Sequence, residues 1–495
     1  MITWGISANS HDAALAVFAD QKLVFAGHSE RFSGQKNDPD LHQDLVDYAR
    51  ERWGQPEKVY WYERPLIKSI RQLFAGQGLT FKENNTKEYL GRYGINVPIF
   101  YTSHHRSHAA AGYGTSPYND ACVVVIDAIG EFHTASIWQA SGNKLKKIYD
   151  LRYPHSIGLW YSAMTQRVGL KPNEEEYILM GMAAYGNPYR LYDNLTNDFV
   201  GIPTWDTGGL IYFKKNLHKG CLAWRPDLTT EQDMFDIAAA TQKVYETIFR
   251  SILQYARSIV SSKNLVLMGG CALNCKANVI AYDIFENVYI MPNPGDAGSS
   301  IGAVLAHHLD WRHYQPQPFN PYLGYDMGYH SSNEDIVDYL IKHKICGLAR
   351  GHAEFGPRAL GNRSLIADPR GENIKDKVNE IKQRQKFRPF APAILAELAD
   401  DYFNMPTARS PYMQVVARCR HPQLFPAIIH RDGTSRVQTV AADGSPFRKF
   451  LELWYERTGC PMVLNTSLNI KGQPMVNDHA DAAAWAEAYG LQVFT

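Results

Sequence analysis

The stretch Val123–Trp138 reads VVVIDAIGEFHTASIW. An apolar, β-branched run ends on a carboxylate, Asp127, and a glycine-bearing turn through Gly130 leads back into a second strand-forming run. The same design stands near the start. Gly5–Ala26, GISANSHDAALAVFADQKLVFA, gives a strand, a small-residue turn with His11 and Asp12 at its tip, and two further strands. In Leu265–Asn278, LVLMGGCALNCKAN, a strand runs into the pair Gly269 and Gly270 and then a predicted helix start. Backbone amides at such turns, and at a helix N-terminus, face an anion readily. Each loop alone is an ordinary turn, since glycine punctuates turns generally.

Further strands are predicted at Thr3–Ile6, Ala14–Phe18, Leu23–Ala26, Val59–Tyr62, Ala121–Ile126 and Val288–Met291, and helices at Leu41–Arg52, Glu231–Ser261 and Ser299–His308. Strands alternating with helices predict an α/β architecture. Trp311–Tyr329, with its prolines, glycines and aromatics, reads as a linker, after which Ile336–His343 is helical and Ile345–Ala349 a strand. The expected organisation is therefore a large unit, 1–320, and a smaller α/β unit, 331–495. Lysine and arginine total 51 against 50 acidic residues, so no overall basic field favours sequence-independent nucleic-acid binding. No apolar run approaches the roughly 20 residues that cross a bilayer, so no membrane is expected. The start of the chain lacks the pattern of a signal peptide. Seven scattered cysteines form no framework and read as reduced thiols, predicting a cytoplasmic protein.

Ser103–Gly114, SHHRSHAAAGYG, places His104 and His108 four apart, on one face of a helix with β-carbons about 6 Å apart. His105 faces elsewhere. An isolated pair of this kind is as readily a hydrogen-bonded pair at a helix end. Asp127 at the end of its strand, and Asp296 in NPGDAGSSIGA between strand and helix, shift the balance, because ligands gather at the carboxyl ends of strands in α/β sheets. Two imidazoles and two carboxylates suit Fe(II), Mn or Zn.

Two carboxylate-bearing hairpins followed by a glycine-rich strand–helix turn resemble the actin and sugar-kinase nucleotide fold. Along nearly the whole chain, HDAALAVF, ERFSGQK, HHRSHAAAGY, DAIGEF, SIGLWYSAMT, KPNEEEYILMGMAAYG, GGCALNCKAN, NPGDAGSSIGA, HAEFGPRALGNRSLIADPR, IKQRQKFRPFAPAIL, HRDGTSRVQTV and NTSLNIKGQPMV resemble the O-carbamoyltransferases of antibiotic and nodulation-factor biosynthesis. The resemblance implies an actin-like N-terminal domain similar to the tRNA threonylcarbamoyl transferase, and a C-terminal domain similar to the threonylcarbamoyl-adenylate synthase. It implies that the latter makes carbamoyl-adenylate from carbamoyl phosphate and ATP (with Mg), and that the former passes the carbamoyl group to an acceptor hydroxyl. By the same resemblance the metal is iron, held by His104, His108, Asp127 and Asp296; His11 is the catalytic base; and Lys36 belongs to the nucleotide or transition-state site. Asp12, Gly130, Gly269, Gly270 and Asn274 are the expected adenylate contacts of the N-terminal domain. Ala128, Glu175 and His352 depart from the family pattern, the first two where glycine, free to adopt positive φ, is usual.

Clustered phosphate charge is held best by the arginine fork. Arg358, Arg363, Lys382, Arg384, Lys386, Arg388 and Arg436 stock the C-terminal unit for it, with Asn465, Ser467 and Asn469 as neutral partners. Arg358, Arg388, Arg436 and Asn465 match the family's substrate-binding positions, whereas Lys375, Lys377 and Lys382 read as a solvated helical face. Two other readings are a threonylcarbamoyl-type tRNA enzyme and a nucleotide-binding regulator without turnover. The acceptor is left open among alcohols, sugars and hydroxymethylated pyrimidines in nucleotide or DNA, nucleic acid entering only as acceptor. The aromatics of Gly158–Tyr161 and Ile202–Trp224 are candidates for its pocket, and the oligomeric state is open.

Overall fold

The computed structural model describes residues 1–201, 210–309, 319–371 and 373–495. They divide into one unit of Met1–Ser29 with Pro39–Phe319 and a second of Glu30–Asp38 with Asn320–Thr495. The short segment Glu30–Asp38, carrying Lys36, thus groups with the C-terminal residues. Arg31 there donates to the Gly356 carbonyl at 3.2 Å, and Phe32 meets Tyr325 edge-on.

In the first unit, apolar alternation and short turns produce two five-stranded sheets of the same topology. Strands β1 (Ile2–Ser7), β2 (Ala14–Ala19), β3 (Lys22–His28), β4 (Lys58–Trp61) and β5 (Ile99–Tyr101) lie in the order β3-β2-β1-β4-β5. The second sheet comprises β6 (Asp120–Gly130), β7 (His133–Ser141), β8 (Lys144–Arg152), β9 (Asn264–Met268) and β10 (Asn287–Ile290), in the order β10-β9-β6-β7-β8. In each sheet the first strand pairs antiparallel with its hairpin partner and parallel with the later strand. This internal duplication is the actin-like plan. Strand β6 continues beyond the predicted end at Asp127 to Gly130, with an irregular register between Ile126 and Gly130. Such a bulge re-aims side chains, here that of Asp127.

Helix α1 (His104–Thr115) and helix α4 (Ser299–His308) pack together, and α4 also packs on β1. Small residues make this approach possible. A β-carbon on Gly302 would lie 1.8 Å from the Ser107 carbonyl oxygen, and one on Gly5 would lie 1.9 Å from that of Ser300. Between α1 and α4 in sequence come α2 (Ile157–Arg167) and the long α3 (Glu231–Ile259), whose start is fixed by a reciprocal cap between Thr230 and Asp233. The helix start predicted after Gly269–Gly270 is instead two 3₁₀ segments, Gly270–Leu273 and Ala277–Asp283. The Asn274 carboxamide accepts from the Ala277 amide, the bond by which a cap starts a helical turn, here the second of the two segments.

The second unit is built on a six-stranded mixed sheet. Ile345–Ala349, Arg363–Ala367, Met462–Ser467 and Ala391–Leu395 run antiparallel through its centre, and Gln438–Val440 and Val493–Phe494 join parallel at the edges. Helices Asn333–His343 and Pro446–Thr458 pack together, with Ile336, Leu340, Phe450 and Trp454 in its core. The linker expected at Trp311–Tyr329 is only partly one. Residues 310–318 lie outside the described residues, but Tyr322–Asp326 is a strand paired antiparallel with His352–Glu354. All seven cysteines are free thiols, and no helix among the described residues is long and apolar enough to cross a membrane.

Because a Gly302 β-carbon would collide with backbone, Gly302→Ala is expected to destabilise the chain by about 1–3 kcal/mol through overpacking. Gly91→Ala, with only Asn96 at 3.9 Å, should shift the denaturant midpoint little. Urea titrations followed by tryptophan fluorescence compare the two.

Candidate functional site

The tight α1–α4 contact sets His104 and His108, in the first turns of α1, against Asp296 just ahead of α4, while the β6 bulge turns Asp127 toward them. The Nε2 atoms of His104 and His108 lie 3.1 Å apart. His104 Nε2 is 3.2 Å from Asp127 and 3.4 Å from Asp296; His108 Nε2 is 3.3 Å from Asp127 and 3.2 Å from Asp296. For metal–ligand bonds of about 2.0–2.2 Å, adjacent donors stand roughly 3.0–3.6 Å apart, so these four atoms have the spacing of one coordination shell. Both imidazoles are buried, and both carboxylates are nearly so. Burial opposes ionisation of Asp127 and Asp296, yet the imidazoles hold both well below the usual carboxylate range, and the carboxylates hold His104 and His108 above theirs. His105 turns away, its Nδ1 2.8 Å from Ser136 Oγ, and burial beside His104 pushes it well down.

Glu63 was not singled out from the sequence. It lies two residues beyond the end of β4, 3.7 Å from His104 Nδ1, and is held by Lys68 at 2.5 Å. A carboxylate on the far nitrogen of a ligating histidine fixes its tautomer and orientation. Its place at the carboxyl end of a parallel strand was a legible signal. Gly130 serves the cluster sterically, since a β-carbon there would meet the His104 ring at 2.2 Å.

His11 and Asp12 occupy the β1–β2 turn, with Asp12 in the left-handed region at φ 60° that Asp tolerates better than most residues. His11 Nδ1 is 3.2 Å from Asp12, and half of its side chain is open. Loss of water contact lowers its pKa, but Asp12, helped by Asp296 and Asp127, outweighs this and raises it to about 10. His11, Asp127 and Asp296 line one cleft of about 510 Å³, together with Lys68, Arg71 and Ser162. Of the other expected adenylate contacts, Gly269 (φ 90°) abuts the Ile126 carbonyl, Gly270 faces Asp127, and Asn274 exchanges hydrogen bonds with Gln242 on α3. Neither Ala128 nor Glu175 has positive φ, so both departures from glycine fit their backbones. Among the described residues, none of the aromatics expected around the acceptor lines this cleft, and Trp160 is fully buried against Phe199 and Phe213. Positions 202–209 of that expectation lie outside the described residues.

In the second unit Lys36 is paired with Glu30 at 3.0 Å. Asn465 is buried on the central strand Met462–Ser467, donating to the Ala359 carbonyl and to Gln438. It therefore ties together the segments of Arg358 and Arg436, and Ala391, three residues beyond Arg388, is its register partner. Its Oδ1 is buried without a hydrogen-bond partner. Two expectations change. Arg363 is spent on carbonyls, donating to Asn477, Arg350, Gly351, Asn362 and Tyr325, so it has no fork left for phosphate. Lys382, expected on a solvated face, is buried with Nζ donating to Ser467 and Asn469, because the NTSLN turn offers more acceptors than water would at that depth. Burial, with Arg384 and Arg388 nearby, pushes Lys382 well below the ordinary lysine range. His352 Nδ1 donates to the Gly324 carbonyl at 3.1 Å, and its Nε2 lies 3.6 Å from Asp326.

Two family models match the chain. Residues 68–305 match the carbamoyltransferase N-terminus and residues 337–495 the carbamoyltransferase C-terminus. An uncharacterized protein of Synechocystis is 32% identical, over 97% of this chain and 93% of its own length. Nodulation protein NolNO of Sinorhizobium fredii is 30% identical, over 95% of this chain and 76% of its own. A 3'-hydroxymethylcephem-O-carbamoyltransferase of Amycolatopsis lactamdurans is 27% identical, over 97% and 95%. The chain belongs to the carbamoyltransferase family and is a carbamoyl-transferring enzyme.

Proposed function

We propose that the chain is an ATP-dependent O-carbamoyltransferase working in two steps. The C-terminal unit forms carbamoyl-adenylate from carbamoyl phosphate and Mg-ATP, consuming water and releasing phosphate and pyrophosphate. The N-terminal unit transfers the carbamoyl group to an acceptor hydroxyl. The observation that carries this reading is that His11 and two carboxylates of the four-residue cluster line the same cleft. The named 3'-hydroxymethylcephem relative, similar along nearly the whole chain, supports a hydroxyl as acceptor.

His104, His108, Asp127 and Asp296 would hold a divalent ion, Fe(II) by resemblance, with Mn or Zn compatible with the donors; bound, it would supply Lewis-acid stabilisation of negative charge developing on the donor. The chain's own groups do the rest. His11 takes the proton of the acceptor hydroxyl as its oxygen bonds to the carbamoyl carbon, and the bond from that carbon to the adenylate oxygen breaks to release AMP. Asp12, on Nδ1, leaves Nε2 as the basic nitrogen and favours the imidazolium that forms. In the other unit Arg358, Arg388 and Arg436, with Asn465, bind the phosphates of ATP and carbamoyl phosphate, and Lys382 braces the NTSLN turn. Asp12, Gly130, Gly269, Gly270 and Asn274 shape the adenylate end of the transfer site, and Lys36 acts with His11 as a catalytic group at the nucleotide or transition-state site.

Five outcomes check this. His11→Ala should slow transfer by about 10²–10⁴-fold, the usual worth of a general base, while ATP–pyrophosphate exchange with carbamoyl phosphate persists. Arg388→Ala should lose that exchange yet still use supplied carbamoyl-adenylate; failure of both variants in the same half-reaction contradicts two sites. Purified chain should carry a stoichiometric divalent metal that Asp296→Ala loses, as read by elemental analysis. Because Asp12 raises the His11 pKa, and the base works only above its pKa, Asp12→Asn should move the acid limb of the transfer rate profile to lower pH. Mass spectrometry of the product distinguishes an added carbamoyl group from a threonylcarbamoyl group.

A further inference from the structure

The wall of the cleft opposite in chemistry to the acidic cluster is basic. Arg71, on helix Pro65–Phe74, is 8% exposed, and its Nη1 donates to Gln77 at 2.7 Å. Its Nε is buried without a hydrogen-bond partner, and no carboxylate among the described residues stands within ion-pair distance of its guanidinium. Glu63, the nearest acidic influence, is already engaged by Lys68 and His104. His218 and Lys219 line the same cleft from the loop Leu217–Gly220. That loop is pressed close to the cleft's Gln166, since a β-carbon on Gly220 would lie 1.8 Å from the Gln166 carboxamide oxygen. Burial, with Arg71 and Lys219 beside it, keeps His218 below the ordinary histidine range. Lys219 is exposed and has no carboxylate partner among the described residues.

Retaining a buried, uncompensated guanidinium is unfavourable unless something anionic completes it. Here the open side is the cleft. We infer that Arg71, His218 and Lys219 form an anion subsite that receives a phosphate or carboxylate carried by the hydroxyl acceptor, so that the acceptor class is an anionic alcohol. A cleft of about 510 Å³ holds a molecule of the size of a sugar phosphate or nucleotide. Its hydroxyl then faces His11 while its anion is held away from Asp127 and Asp296, which would repel it. The second source of the same chemistry is the phosphate of the carbamoyl-adenylate donor. The donor is the less suitable occupant because the glycine turn Gly269–Gly270, proposed to take the adenylate, abuts Asp127 and is not among the residues lining this cleft.

This assignment rests on the transfer reading of the cleft and is separable from it experimentally. Calorimetric titrations of the metal-loaded full chain with inorganic phosphate and with AMP are compared for wild type, R71Q/K219Q, R71K and R388A. Inorganic phosphate should show two sites in wild type. R388A should lose one, and R71Q/K219Q should weaken the other by about tenfold or more, the loss of a charge-assisted hydrogen bond. R71K should restore most of that affinity, and AMP affinity should stay within about twofold, since the donor contacts lie elsewhere. Parallel loss of AMP affinity in R71Q/K219Q would assign the subsite to the donor and overturn the inference. Unchanged phosphate binding, with unfolding midpoints showing the variant folded, would overturn it as well. Should His11→Ala leave transfer intact while these titrations behave as expected, the transfer chemistry falls and the anion subsite stands.

Discussion

Two carboxylates pressed against two buried imidazoles are the constraint on which the N-terminal unit turns. Carboxylates removed from water are unfavourable unless charge or hydrogen bonds compensate them. Asp127 and Asp296 lie within 3.4 Å of His104 or His108, and those rings have almost no contact with solvent. Glu63 adds a third carboxylate behind His104 and is balanced by Lys68. Protonated imidazoles would compensate the charge but would repel one another across 3.1 Å. The proposed divalent ion removes both conflicts, leaving the rings neutral and the carboxylates ionised, as ligation requires.

Backbone geometry makes this convergence possible. Gly302 against Ser107, and Gly5 against Ser300, let α4 settle between α1 and β1 at a distance that larger residues forbid. The β6 bulge and Gly130 then give the Asp127 carboxylate and the His104 ring their places. The cleft beside the cluster is chemically polarised, acidic at Asp127 and Asp296 and basic at Arg71 and Lys219. Such polarity would orient the anionic alcohol inferred above, with its hydroxyl at one end and its anion at the other.

Much of this was legible in the sequence. The carboxylate-ended strand of Val123–Trp138 and its counterpart in Gly5–Ala26 announced the paired sheets, and the four-residue spacing of His104 and His108 announced a shared face. Strand-end placement pointed to Asp127 and Asp296, and could have pointed to Glu63. Other features depend on three-dimensional neighbours that no local pattern encodes. Lys382 looks like one cation among several in a helical run, and only the fold puts the NTSLN turn around it. Arg363 and Arg358 have the same residue type five positions apart, yet the former is consumed by carbonyls. Arg71 sits on an unremarkable amphipathic helix, and its meaning comes from the loop that arrives from residue 217 onward. The 3₁₀ turns after Gly270 stand where a helix was expected, with the Asn274 carboxamide capping the start of the second.

The central claim is that one cation joins the four donors. An anomalous difference map from crystals of the full chain, collected across the iron absorption edge, tests it most directly. The account predicts one peak within bonding distance of His104 Nε2, His108 Nε2, Asp127 and Asp296. A featureless map at that point in metal-replete crystals, or imidazoles turned away from the aspartates, would contradict it.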